Sequence, residues 1–300
     1  MGIVETLLSG QLLFAALVTG SIYALIALGL NLVYGTLRML NVAHGDVVML
    51  GAYAAYWAFT GSGISPLLAA PVVAGLGAVA GLLVYRGAVR RMLGSGMPAS
   101  SCLEGNSLLL FFGLSIILQN AAALAFTPNN RGYAYLDTVV HLGPVAMTVN
   151  RLAALAIAGG TCLAAALFLG RSLAGLTMRA VIERREAAYI VGVDVERVQA
   201  ASFAIGFASA ALAGVLLSML EQFSPFSGFP YTIAAFIVII LGGLGNVAAG
   251  LGAAMLLGAL ETYGVALTSA NLRSVLLYGV FVGALLLFPR GLFARRANRA

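Results

Sequence analysis

The chain predicts an all-α, polytopic transmembrane helical bundle, and three observations predict it. Mean hydropathy is +1.02 over 300 residues, with 61% of residues hydrophobic and only 9% charged. Apolar runs near 20 residues, the length that crosses a hydrocarbon core as helix, recur from one end of the chain to the other. Strand-like alternation is absent, and unpaired backbone in lipid leaves only helices or closed barrels.

The runs fall at about residues 12–34, 47–60, 67–85, 107–126, 152–169, 200–220, 231–241, 247–267 and 274–288. They give eight or nine spans, some of them broken helices, depending on whether the short runs are joined to their neighbours. The stretches between them are too short for a separate globular domain, so residues 1–300 read as one transmembrane domain. The first ten residues, MGIVETLLSG, lack the basic region of a secretory signal, and the run that follows is too long for one. It reads as a retained first span.

All 16 basic residues are arginine. Without lysine the chain has no phosphate-cradling Walker loop and no Schiff-base amine, so any ATPase that drives it is a separate protein. Alternating from an outside N-terminus, one side receives twelve arginines: Arg86, Arg90, Arg91, Arg171, Arg179, Arg184, Arg185, Arg197, Arg290, Arg295, Arg296 and Arg299. The other receives Arg131, Arg151 and Arg273, with Arg38 at the first turn. The excess predicts the twelve-arginine side, and with it the C-terminus, to be cytoplasmic. Because the basic residues follow the bilayer, the net charge of +6 is no signature of a nucleic-acid partner. Cys102 near a span end and Cys162 inside a span imply neither a disulfide framework nor a metal site.

Two polar breaks interrupt the apolar runs. Asn41-Val-Ala-His-Gly-Asp46 precedes the run at 47–60, whose 14 residues make only about 21 Å of helix. The preceding segment must therefore enter the membrane as an irregular piece or a half-helix. At Gly242-Gly-Leu-Gly-Asn246, three glycines in five residues unwind a helix, and Asn246 can cap the next one. Irregular backbone at membrane depth survives where protein or a water-filled cavity covers it, and transporters use such breaks to hold solutes. Two readings stand at each: Asn41, His44 and Asp46 line a pathway or satisfy their own broken backbone, and the glycine turn lines it or is a surface hairpin. His44 has no second ligand nearby, so no metal is expected. Glu221 and Glu261 lie near span ends and read as headgroup contacts. Gln119 and Asn120 read as interhelical hydrogen bonders, and Gly75, Gly77 and Gly81 as close packing. The ten carboxylates form no catalytic constellation with histidine or serine, so the chain is expected to be no enzyme and to need no cofactor.

The remaining anomaly is an island of charge. Residues 171–199 hold nine of the 26 charged side chains, on the side expected to be cytoplasmic. Good helix formers run from Arg179 to Val191, with Ala180, Ala187 and Val191 on one face. Gly192 is a natural stop, and Asp194 can cap the helix that becomes the next span. A short helix of this kind suits insertion into a groove on a soluble protein.

Glu186-Ala-Ala-Tyr-Ile-Val-Gly192 has the form EAA-x3-G and resembles the cytoplasmic motif of ABC-importer permeases, without that motif's later Ile-x-Leu-Pro. Gly29-Leu-Asn-Leu-Val-Tyr-Gly35, Arg38-Met-Leu-Asn-Val-Ala-His-Gly-Asp46 and Met49-Leu-Gly-Ala-Tyr53 are similar to the N-terminal signature of branched-chain amino acid permeases of the LivH type. Leu241–Asn246, Gly250 and Gly258-Ala-Leu-Glu261 resemble that family's glycine-rich late segment, with Val247-Ala-Ala-Gly250 replacing its usual proline.

The resemblance implies the translocating subunit of an ATP-driven importer in a bacterial inner membrane, for branched-chain or related amino acids. Its implied partners are a second permease (a LivM-like chain or a second copy), two cytoplasmic ABC ATPase subunits, a periplasmic binding protein and membrane lipid. Arg179, Glu186, Ala187, Ala188 and Gly192 are then expected at the ATPase contact. Asn31, Asn41, His44, Asp46, Gly242, Gly243, Gly245 and Asn246 are expected along the substrate pathway. Competing readings are a permease for urea, an amide or a sugar, a passive channel or secondary carrier, and a structural subunit.

Overall fold

The computed structural model describes residues 9–94, 100–142, 145–243, 245–269, 272–287 and 292. Arg290, Arg295, Arg296, Arg299, both chain termini and the Cys102 side chain lie outside the described residues. In chain order the helices are α1 (Gly10–Leu37), α2 (His44–Ser62), α3 (Pro66–Val84), α4 (Ser100–Phe126), α5 (Val149–Arg171), α6 (Leu173–Glu183), α7 (Arg185–Ile190), α8 (Val195–Ser218), α9 (Gly228–Gly242), α10 (Val247–Leu267) and α11 (Arg273–Leu287). Helix α3 continues through a π turn at Tyr85–Val89 into Arg90–Gly94.

The expected bundle is present. Helices α1, α3, α4, α5, α8 and α10 are long and apolar enough to cross a membrane. The expectation of eight or nine spans also counted α2, α9 and α11, which are shorter or less apolar and complete the bundle. The helix starts carry the caps their sequences announce. Ser9 accepts from Leu12 N–H, Asp194 from Arg197 N–H (3.0 Å) and Asn246 from Ala249 N–H (3.1 Å).

Helices α1 and α8 form the centre and are buried on most sides, with α10, α5 and α9 around α1, and α2 and α3 against α8. Glycine stands where these helices cross, Gly20 against Gly258 and Gly29 against Gly206, so that backbones meet where lipid supplies no hydrophobic drive. Gly77 and Gly81 likewise meet Phe203 and Phe207, whereas Gly75 faces open space. Helices α3, α4 and α5 turn outward rows that include Leu68, Leu76, Leu109, Ile117 and Leu163. Such a surface is stable only against lipid or another apolar protein.

The two ends of the bundle differ. At one, Gln199 donates to the Thr36 carbonyl (3.4 Å) and accepts from the Tyr85 hydroxyl (3.2 Å), and Arg90 pairs with Glu196 at 2.5 Å. The arginines near 86–91 and 171–197 therefore share the end where α1 finishes. The far end holds Arg131, Arg151, Arg273 and a β-hairpin, β1 (Val139–Leu142) with β2 (Val145–Thr148), pairing Val139 with Thr148 and Leu142 with Val145. The hairpin was not expected, because four residues per strand are too few for alternation to register.

Candidate functional site

The first polar break is a return into the bundle. Arg38 adopts a left-handed conformation (φ 58°) that ends α1, its N–H bonding to the Tyr34 carbonyl at 2.7 Å. The chain then runs back along α1, so that His44 Nε2 sits 2.9 Å from the carbonyl of Ile26. Ile26 lies three turns before Leu37, roughly 16 Å along the axis, so α2 begins deep inside the protein. Its first turn is fixed by α9. Gly45 N–H donates to Thr232 Oγ1 (2.9 Å), whose hydroxyl donates to the Val42 carbonyl (3.0 Å), and Gly228 lies against Asp46.

Asn41, His44 and Asp46 meet at this point, each at most 1% exposed. Gln119 of α4 donates to Asp46 Oδ1 (3.0 Å) and to Ser115 Oγ (3.1 Å). Gln119 thus makes the expected interhelical bond, while Asn120 instead bonds to the Ile116 carbonyl within its own helix (2.8 Å). Asn41 Nδ2 and Oδ1, His44 Nδ1 and Asp46 Oδ2 find no hydrogen-bond partner among the described residues. Each such buried group costs about 1–3 kcal/mol, so this packing is held by its surroundings rather than by its own bonds.

The second break is a turn clamped to α1. Asn31 donates from Nδ2 to the Asn246 carbonyl (3.0 Å) and accepts from Gly245 N–H at Oδ1 (2.9 Å). Gly243 (φ 88°) and Gly245 (φ 85°) occupy the left-handed half of backbone space that a side chain disfavours. Gly242 packs on Gly250 of α10, and Leu244 lies outside the described residues. Asn31→Leu removes both ends of the clamp and leaves two shielded backbone groups unpaired. It is expected to lower the melting temperature of the purified chain by roughly 5 °C or more; an unchanged melting curve would show the clamp to be idle.

The charge island is two helices where one was expected. Arg184 is extended (φ −148°, ψ 97°) and separates α6 from α7, its N–H closing α6 on Ala180 and its carbonyl accepting from Ala188 (both 3.0 Å). The extended residue breaks the 3.6-residue period, so the expected face of Ala180, Ala187 and Val191 does not form. Instead Met178, Val181 and Ala188 pack with Leu32, Leu169, Val195 and Val198. Arg179, Glu186, Ala187 and Gly192 are exposed, and Tyr189, Ile190 and Val191 stand 75–82% exposed in a row. Gly192 is left-handed (φ 84°) and ends α7, as its position in the sequence predicts. The handle touches the glycine turn through one side chain: Ile182 of α6 lies between Gly35 and Gly245, with a Cβ on either at 3.1 Å from it.

A sequence profile described as the permease component of the branched-chain amino acid transport system matches residues 12–288. The chain belongs to this permease family. It is 31% identical to the high-affinity branched-chain amino acid transport system permease protein LivH of Escherichia coli strain K12, and 30% identical to BraD of Pseudomonas aeruginosa, each alignment covering 95% of both chains. A probable LivH of Methanocaldococcus jannaschii is 26% identical, over 94% of this chain and 91% of that one. No solved structure matches. The protein is thus a multi-pass membrane protein and a permease component of a transport system.

One cluster of the permease was misread in the sequence. Glu261, expected at the headgroups, is 5% exposed, accepting from the Tyr23 hydroxyl and from Arg273 Nε. Arg273 also donates to both oxygens of Glu221 (3.1 and 3.2 Å), and Tyr231 donates to Glu221 at 3.2 Å. The crossing of α1 with α10 brings Tyr23 and Glu261 together across most of the chain. The signal that could have found them is a carboxylate within an apolar run, which in a membrane is costly enough to mark a functional site by default. Among the described residues no group of three His, Cys, Asp or Glu side chains is placed to hold a metal ion.

Proposed function

We propose that this chain is the translocating subunit of an ATP-driven ABC importer for branched-chain or related amino acids in a bacterial inner membrane, with its arginine-rich end in the cytoplasm. It pairs there with a second permease subunit and two ATPase subunits, and receives its solute from a periplasmic binding protein. The observation that carries this reading is the handle: Tyr189, Ile190 and Val191, flanked by Glu186 and Gly192, hold a large apolar patch into solvent at the arginine-rich end. A contiguous apolar surface framed by charge is what a soluble partner covers. The names of the relatives support the class of solute.

Closure of the ATPase pair on ATP moves α6 and α7, and Ile182 passes that displacement to Gly35 and to the turn held by Asn31. The turn joins α9 to α10, and α9 in turn holds the start of α2 through Thr232. The unpaired atoms of Asn41, His44 and Asp46 gain partners when these elements separate, which makes them the polar lining of the open pathway. ATP can shift this balance only by binding one arrangement better than the other.

Reconstitution with the ATPase, second permease and binding protein tests the reading. L-leucine uptake should require ATP, and uptake by this chain alone would establish a passive channel or carrier instead. In that system Asn41→Ala and Asp46→Ala are each expected to reduce uptake about tenfold, a loss of roughly 1.4 kcal/mol, with assembly intact. Unchanged uptake would remove them from the pathway.

A further inference from the structure

At the end of the bundle opposite the handle lies a chamber of about 440 Å³, within the range of small-molecule sites. Its walls divide by chemistry. Leu12, Val18, Ile22, Leu217 and Val265 give an apolar side, while Arg151, Glu221 and Arg273 give ionic groups. Two carboxylates, Glu221 and Glu261, share the single guanidinium of Arg273, which leaves that cluster with a surplus negative charge. Glu261 is enclosed and occupied by Tyr23 and Arg273, whereas the Glu221 side chain is 44% exposed. Arg151, on another wall, is exposed and forms no ion pair among the described residues.

We propose that this chamber receives a zwitterionic amino acid with an apolar side chain, Arg151 binding its carboxylate, Glu221 its ammonium group, and the leucine-and-valine wall its side chain. The inference rests on the amino-acid reading above and names where that solute first binds. The charge pattern selects the class. A lone anion has no use for the surplus carboxylate, a lone cation none for the free guanidinium, and a neutral amide or sugar neither. A zwitterion satisfies both with charge-assisted hydrogen bonds, the stronger kind. Glu261 and Tyr23 are positioning residues that hold Arg273, which in turn orients Glu221.

The chamber also points inward. Glu221 and Tyr231 border a narrow gap lined by Val48, Met49 and Ala52 of α2. Tyr231 precedes Thr232, the residue that bonds the start of α2. A solute held at Glu221 therefore stands next to the contact between α2 and α9 that must part for passage.

The test uses the assembled transporter in proteoliposomes, with both native cysteines replaced by serine and a reporter cysteine at Thr19 on the chamber wall. A second reporter at Thr262 guards against a variant that misfolds. L-leucine at about 10 mM should slow modification by a membrane-impermeant thiol reagent at least about fivefold, the occupancy expected for a Kd near 1–2 mM. Leucinol, which lacks the carboxylate, and 4-methylpentanoate, which lacks the ammonium group, should not protect. Arg151→Ala and Glu221→Gln should each abolish protection by L-leucine. Equal modification with and without L-leucine at both reporters, protection by either analogue equal to that of L-leucine, or protection that survives both substitutions overturns the proposal. ATP-driven L-leucine uptake by the same vesicles separates the two readings: uptake without protection removes the chamber alone, and no uptake removes the amino-acid reading with it.

Discussion

A valine at Gly45 is expected to unseat the start of α2 and abolish transport. A Cβ there would collide with the Gly228 carbonyl oxygen and Thr232 Oγ1, and would lie 2.9 Å from the Gly228 carbonyl carbon. Two of these obstacles are backbone, so no rotamer change relieves them. Overpacking a core costs about 1–3 kcal/mol when side chains can adjust, and this site belongs at or above the top of that range. Separation of α9 from α2 also removes the acceptor of Gly45 N–H. Thermal unfolding of the purified chain should show a midpoint lower by roughly 6–12 °C. Gly75→Val is the control, because its Cβ would meet nothing within 4 Å. If the two variants melt alike and transport alike, the contact does not hold α2.

The second large effect is expected at the handle. Gly192→Pro with Glu186→Arg should leave the chain in the membrane yet reduce ATP-driven uptake at least about twentyfold, close to 2 kcal/mol of coupling. Gly192 sits at φ 84° and its N–H donates to the Tyr189 carbonyl at 3.1 Å. Proline fixes φ near −65° and has no N–H to give, so the turn that presents Tyr189, Ile190 and Val191 is lost. Arginine at 186 reverses the charge of an exposed position in the first turn of α7. Gly192→Asn separates backbone shape from contact, since asparagine tolerates the left-handed conformation, and should retain most of the uptake. Copurification of the ATPase with the double variant at normal yield, together with normal uptake, would place the docking surface elsewhere.

The helix ends show how far the chain itself carries the fold. Asp194 and Asn246 cap the helices they precede, Gly192 stops the helix it follows, and the segment at Asn41–Asp46 enters the bundle as the short run after it requires. Each of these depends on residues within a few positions of one another. Hydropathy likewise marks the spans, because the bilayer imposes the same length on every crossing. The handle was legible in charge and motif but not in shape. Nothing local announces that Arg184 would be extended, or that Ala188 rather than Ala187 would be buried.

What the sequence determined by itself is therefore the class of molecule: a helical membrane bundle, arginine-rich on one side, with two polar breaks and a charged loop bearing a family motif. What only the tertiary structure decided is which of its polar groups meet. Asn31 holds a turn that follows it by more than 200 residues, Ile182 reaches that turn from the handle, and Tyr23, Glu261, Arg273 and Glu221 converge from four separate segments. Periodicity and capping act along one helix, over a few ångströms of chain. The register in which α1 lies against α8 and α10 is set instead by glycines fitting at each crossing, and that fit is a property of pairs of helices.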